Sequence, residues 1–410
     1  MSFFSPRFIL PVALLLATAG TPLLAFDEWL DGVEDRLSVS ALHSKVNAHL
    51  SGALDLEAYS FRQPAPGLID SDHDFLLNPR LTLYLDAQLG PKIYLFTQTR
   101  VDRGFDPSNQ GAQVRLDEYA IRVTPWDDAR LNIQIGKFAT VVGQWTLRHD
   151  SWDNPFITAP LPYENLTSIW DSVAANSSDT LMEWYDSAKY LRIPVIWGPS
   201  YATGLAISGR LGKFDYAAEV KNAPLSSRPH DWDLGEMNLS HPTLSGRVGW
   251  KPDQAWDLGL SASTGSYLTP EATESLPPGK GRGDYRQVTL AQDISYAWHH
   301  WQLWAEVFEN RFEIPLVGNA DALAYFIEAK YKFTPQFFGA LRWNQEVYNH
   351  FSYEKQGSIP WSYDSWRLDA AITYRLSVHT QAKLQYSFLH QERAEYQDQS
   401  LLAAQFTVRF

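Results

Sequence analysis

The chain has 410 residues, 45% hydrophobic and 14% aromatic, with 16 Trp, 20 Tyr, no Cys and a formal net charge of −13. This balance excludes intrinsic disorder, and the missing Cys excludes a disulfide scaffold, a thiolate metal site and a Cys nucleophile. The acidic charge argues against a nucleic-acid partner, and a mean hydropathy of −0.29 argues against a bundle of membrane helices.

Arg7 is the sole charge before Asp27, and Phe8 to Leu16 is an apolar run broken only by Pro11. Small residues follow at Ala17–Ala19 and again up to Ala25. A membrane anchor needs about 20 apolar residues, and Gly20, Thr21 and Pro22 interrupt too early. Residues 1–25 therefore read as a secretory signal, cleaved after Ala19 or Ala25. In residues 26–43, Phe26, Trp29, Leu30, Val33 and Leu37 fall at helical spacing among Asp27, Glu28, Asp31, Glu34 and Asp35. This predicts a short amphipathic helix on the periplasmic side.

From residue 44 to 410 the period is two. Val46, Ala48, Leu50, Leu54, Leu56 and Ala58 share one parity, with Lys45, Asn47, His49, Asp55 and Glu57 on the other. The pattern returns at Leu77–Leu89, at Leu258–Ala262, at Leu303–Val307, at Tyr325–Phe333 and at Leu402–Phe410. Side chains alternate across a strand, so each segment has one apolar and one polar face. Short turns (Gly90-Pro91, Pro125–Ala129, Gly212-Lys213, Lys251–Ala255, His299-His300, Thr334-Pro335, Ser377–Thr380) take turns with long polar loops. The loops are Ser60–Asp74, Arg103–Ala112, Ala139–Ser200, Ala223–Pro242, Ser266–Tyr285, Phe312–Ala322, Asn349–Asp364 and Gln391–Ser400. About sixteen strands of about ten residues result, the length and even number of a transmembrane antiparallel β-barrel. Both termini then lie on the short-turn, periplasmic side. A soluble sandwich or propeller also alternates, but its strands are shorter. Here Phe214, Trp250, Trp256, Trp298, Trp301, Tyr331, Phe333 and Phe337 flank short turns as an interfacial girdle would, and Trp366, Tyr201 and Tyr119 are candidates for the opposite girdle.

The ending Leu401–Phe410 resembles the closing strand of Gram-negative outer-membrane proteins, and the strand number resembles the sixteen-stranded porins. Ile135-Gly-Lys-Phe138 before a long loop is loosely similar to the phosphate-selective porins. The resemblance implies that Phe410 is read by the barrel-assembly machinery, that the surroundings are outer-membrane lipid and lipopolysaccharide, and that the chain forms a homotrimer.

The polar parity is the expected lumen face. Its basic candidates include Arg80, Lys92, Arg100, Arg122, Arg247, Arg342, Arg367 and Lys383, matched by acids such as Asp55, Glu57, Asp293, Glu306, Glu328 and Asp369. In a barrel this wide such charges are expected to sit in water and tune selectivity, most of them paired across strands. Ala139–Ser200 is far longer than a connector needs and rich in Trp and Pro, and loops of that length are functional or disordered. Either it folds into the channel, with Arg148, His149, Asp150 and Asp153 as the constriction facing the solute, or it forms a lid above the rim.

Other motifs carry little. Asp70, Asp72 and Asp74 copy the start of a calcium loop, but Phe75 and Leu81 stand where Gly and Glu are needed. Gly279–Gly283 lacks a strand–helix context, Arg282-Gly-Asp284 is a common tripeptide, and His299-His300 has no third ligand nearby. No hydrolase element is present, so the chain is read as a non-enzyme without cofactor. Passive diffusion of small hydrophilic solutes or anions is the favoured function. The alternative is a non-conducting binding or structural barrel, or a polysaccharide exporter.

Overall fold

The computed structural model describes residues 21–41, 45–103, 112–184, 187–229, 239–392, 394 and 397–410. The expected signal up to residue 20 lies outside the described residues. Helix α1 (Thr21–Arg36) is followed by strands β1 (Ser38–Ala41), β2 (Val46–Phe61), β3 (Phe75–Leu89), β4 (Ile93–Asp102), β5 (Gln113–Val123) and β6 (Asn132–Phe138). A long crossing segment holds β7 (Leu166–Trp170), helix α2 (Ser178–Glu183) and β8 (Arg192–Pro194). The wall resumes with β9 (Ala202–Leu211), β10 (Phe214–Lys221), β11 (Thr243–Trp250), β12 (Trp256–Ser266), β13 (Arg286–Trp298), β14 (Trp301–Ile314), β15 (Gly318–Lys332) and β16 (Phe337–Tyr348). The hairpin β17 (His350–Tyr353) and β18 (Gly357–Pro360) precedes β19 (Ser365–Arg375), β20 (Thr380–Gln391) and β21 (Asp398–Arg409).

Sixteen of these strands pair antiparallel with their neighbours, and β2 pairs with β21 to close the barrel. Closure is what lipid demands, because an unpaired strand edge in hydrocarbon costs several kcal/mol per group. The parity rule explains the wall. On β11 and β12, Leu244, Val248 and Leu260 face outward and are exposed, while Ser245, Ser261 and Ser263 are buried inside. Exposed leucine in such rows is the mark of a lipid-facing surface. At the short-turn rim, Trp301 packs on Tyr331 at 4.7 Å, Tyr331 meets Phe333 edge to face at 5.0 Å and Phe333 stacks on Phe337 at 5.2 Å, so these four girdle residues form an aromatic row.

The seam has an unusual build. β21 covers β2 only from Ala53 to Phe61, and Phe410 exchanges two backbone hydrogen bonds with Gly52. Below that point β1 takes over, pairing Ser38–Ala41 with Val46–His49. A Cβ at position 52 would lie 2.6 Å from the Phe410 ring, which is why glycine stands there. α1 lies beside this rim, with Leu30 buried, Asp27 accepting from Ser377 Oγ at 2.7 Å and Asp31 bonded to His379 Nε2 at 2.8 Å.

Two expectations need correction. Residues Phe312–Ala322 are not a long loop: β14 runs to Ile314 and β15 starts at Gly318. Above the membrane band the alternation inverts. Phe312, Ile314, Ala320 and Ala322 face inward onto an apolar core, while Arg311 and Asp321 pair outside at 2.6 Å. The polar outer face hid the strand from the pattern. Tyr201 is not a girdle residue either, since it is buried and its hydroxyl bonds His149 inside the barrel.

Candidate functional site: the barrel lumen

The segment from residue 139 to 201 runs inside the barrel and is fastened to inward-facing residues around the wall. On β14, Glu306 accepts from the backbone N–H of Gln144 at 3.0 Å and of Trp145 at 2.6 Å, and from the Tyr163 hydroxyl at 2.5 Å. On β16, Arg342 donates to the carbonyls of Thr158 and Ala159, both at 3.1 Å, and lies 4.2 Å from the Phe156 ring centre. Asn344 accepts from Leu161 N, and Glu346 accepts from Asn165 Nδ2. On β19 and β20, Arg367 pairs with Glu164, Gln385 accepts from the N–H of Ile157 and Thr158, and Lys383 donates to the carbonyls of Ser151 and Asn154. On the opposite wall, Glu219 accepts from Thr140 Oγ1 at 2.7 Å. These polar ties satisfy backbone groups that a buried irregular chain would otherwise leave unpaired.

Apolar packing completes the attachment. Val142, Trp145, Tyr163 and Leu166 from the segment join Phe308, Phe312 and Phe326 from β14 and β15 in one buried cluster. Tyr163 and Phe308 meet edge to face at 5.6 Å. Beyond the rim, Lys189 donates to the carbonyls of Ala65, Gly67 and Ile69 in the β2–β3 loop. Asp171 accepts from Thr269 N at 2.9 Å through its backbone, and burial pushes its carboxyl up to about 6.

The predicted lumen residues are distributed as follows. Arg80 pairs with Asp55 at 3.1 Å and Glu57 at 2.7 Å, and Arg100 pairs with Asp102 and Asp117. Arg122 donates to Gln134 and lies over Tyr94 and Phe96. Arg247 binds Asp215, Asp257 and Asp293, and Arg342 and Arg367 share Asp369. Lys92 is a correction: it sits in the rim turn after β3, bonded to Pro125 O and 3.8 Å from the exposed Asp127, outside the passage. A second correction concerns solvation. The side chains of Arg342, Glu328 and Asp369 are fully buried, because the crossing segment occupies the space that water was expected to fill.

The four constriction candidates diverge. Arg148 turns to Glu328 at 2.6 Å and lies 4.3 Å from the Trp304 ring centre. His149 bonds Thr146 O and Tyr201. Asp150 accepts from Tyr84 at 3.0 Å, and Asp153 is exposed. Two cavities meet at Ser151. One of about 120 Å³ is lined by Arg80, Arg100, Arg115, His149 and Tyr201, and one of about 730 Å³ toward the short-turn rim is lined by Tyr84, Asp150, Asp153, Arg375, His379 and Arg409. Arg115 and Asp117 escaped the sequence reading because β5 bulges. Gln98 pairs with Glu118 and Thr99 with Leu116, leaving Asp117 as an extra residue. The adjacent acids Asp117-Glu118 in a strand of strict alternation were the available signal.

The closed barrel, with short turns on one rim and a lumen crossed by a long segment from the other, is a barrel of the outer-membrane porin type. No family model matches the sequence, and no curated protein matches it. Solved structures do. OmpF of Salmonella typhi, in complex with daunomycin, aligns over 91% of this chain and 100% of its own at 11% identity and a TM-score of 0.55. The anion-selective porin from Comamonas acidovorans aligns over 89% and 100% at 11% identity and 0.53. The outer membrane channel DcaP of Acinetobacter baumannii aligns over 91% and 100% at 9% identity and 0.56. At these identities the likeness is one of fold.

Proposed function

We propose that the chain is an outer-membrane channel for passive diffusion of small hydrophilic solutes, narrowed by the segment 139–201. The observation that carries this reading is the pair of polar cavities meeting at Ser151 beside a segment anchored across the lumen. His149 faces the narrower cavity, and Asp150 and Asp153 face the wider one. Arg148 braces the segment against the wall through Glu328. In this reading residues up to Ala19 or Ala25 are a cleaved signal, the termini lie in the periplasm with the short turns, Phe410 is the assembly signal, and three copies associate.

A second reading, a non-conducting binding barrel, draws support from the apolar cluster that fills the β13–β16 side of the lumen. Planar-bilayer recording of the refolded full chain separates the two. A defined conducting step, enlarged by deleting 150–175, is the result expected of the constricted channel. Silence from a folded, heat-modifiable sample would establish the binding barrel. Unchanged conductance after the deletion would remove the constriction role from the segment.

A further inference from the structure

We infer that helix α1 is a lid on the wider lumen cavity, docked on the turn between β19 and β20, and that this turn also steadies the tip of the crossing segment, so that docking and passage width are coupled. The inference rests on the channel reading for the passage that the lid closes. β1 holds the C-terminal end of α1 to the short-turn rim, where Leu50 N–H bonds Leu37 O at 3.1 Å. From there the helix reaches over the cavity of about 730 Å³, which Asp31 lines together with Tyr84, Asp150, Asp153 and Arg375. Its attachment is light. Of its described side chains Leu30 alone is buried, and Trp29 is 60% exposed. Two polar contacts complete the dock, Ser377 Oγ to Asp27 at 2.7 Å and His379 Nε2 to Asp31 at 2.8 Å. A helix kept only to stiffen the rim would bury a whole apolar face. One held by a single leucine and two surface contacts belongs to the low-stability elements from which moving parts are drawn.

His379 joins the dock to the lumen. Its Nε2 meets Asp31 of the helix, and its Nδ1 bonds Arg409 O on the closing strand at 3.0 Å. Arg409 Nε donates to Val378 O of the same turn at 2.8 Å, and its guanidinium lies 4.0 Å from the Trp152 ring centre. Arg375, at the end of β19, lies 5.0 Å from that ring centre and donates to Trp152 O at 3.4 Å. A cation over a tryptophan face is an attractive contact, so the two arginines hold the indole in place. Just past the turn, Gln381 donates to Ser151 O at 2.7 Å. Ser151 is the point where the two cavities meet. Undocking α1 takes the Asp31 carboxylate from His379, which loosens the support of Arg409 and with it the grip on Trp152.

The chain contains no Cys, so introduced thiols report without background. Asp27→Cys combined with Ser377→Cys replaces the 2.7 Å contact by a cross-link that oxidation closes and a reductant opens. In planar bilayers the reduced protein should move between two conductance levels, and the oxidised protein should stay at the lower one. Ser51→Cys places a thiol in the cavity wall. Adding Asp27→Ala and Asp31→Ala removes both polar contacts, and labelling of that thiol by a polyethylene-glycol maleimide in micelles should quicken roughly tenfold. Arg409→Gln tests the coupling: the larger level should return with the lid still cross-linked, and Arg409→Lys, which keeps a cation over Trp152, should suppress it again. Heat-modifiable mobility shows each barrel folded. A cysteine pair that does not cross-link, or a labelling rate indifferent to the alanine pair, would overturn the lid, and Arg409→Gln behaving as the wild type would overturn the coupling. A conducting barrel indifferent to the cross-link loses the lid and keeps the channel. A silent barrel whose labelling still responds loses the channel and keeps the lid.

Discussion

Glu306 ties the wall to the crossing segment through three hydrogen bonds, and Glu306→Leu should loosen that segment without opening the barrel. The substitution keeps an inward side chain of similar bulk but leaves the Gln144 and Trp145 N–H groups and the Tyr163 hydroxyl without their acceptor. An orphaned buried donor costs about 1–3 kcal/mol, so with partial relaxation the attachment weakens by about 3–5 kcal/mol. At about 1.4 kcal/mol per factor of ten, the detached state gains at least a hundredfold in population. Hydrogen exchange should show it as faster exchange of the 144–147 amides with the β14–β15 ladder unchanged. Single-channel records should show added current noise and longer-lived larger openings. Glu306→Gln, which keeps an acceptor oxygen, should lie between. If Glu306→Leu left exchange in the segment as slow as in the wild type, the polar ties would not be what holds it, and the apolar cluster around Tyr163 and Phe308 would have to carry the attachment.

Arg342→Met should lower the temperature of the heat-modifiable gel shift and weaken the barrel by about 3–5 kcal/mol, since it strips a fully buried partner from Asp369 and Glu328 and from two segment carbonyls. Asp171 carries a carboxyl pushed by burial up to about 6, above its ordinary 3.8, so its contribution to stability is full below the ordinary value and is lost as pH rises through about 6. Proteolysis of the segment near Asp171 should accordingly quicken between about pH 4 and pH 7, and Asp171→Asn should flatten that rise. Gly52→Val forces a side chain into the Phe410 ring at the seam, and the folded fraction after refolding into micelles should fall sharply, while Gly32→Val, with open space around it, should not change it.

The sixteen strands were legible because lipid and lumen impose opposite chemistries on alternate residues over almost the whole chain. Where that contrast changes, the pattern misleads. In the 312–322 hairpin the strand leaves the membrane band, so its outer face turns polar and its inner face apolar, and the alternation looks like a loop. At the β5 bulge one inserted residue shifts the parity, and the lumen list lost Arg115 and Asp117 with it. The path of the crossing segment was beyond local pattern altogether. Its ties join residues such as Trp145 to Glu306 and Thr158 to Arg342, which are separated by 161 and 184 positions. No spacing rule connects them; only the closed barrel brings β14 and β16 to face the segment after β6. The same closure explains why balanced lumen charge did not mean a watery lumen. Once the segment occupies one side, the arginines of β16 and β19 become its anchors, and the small cavity remains on the β4–β5 side.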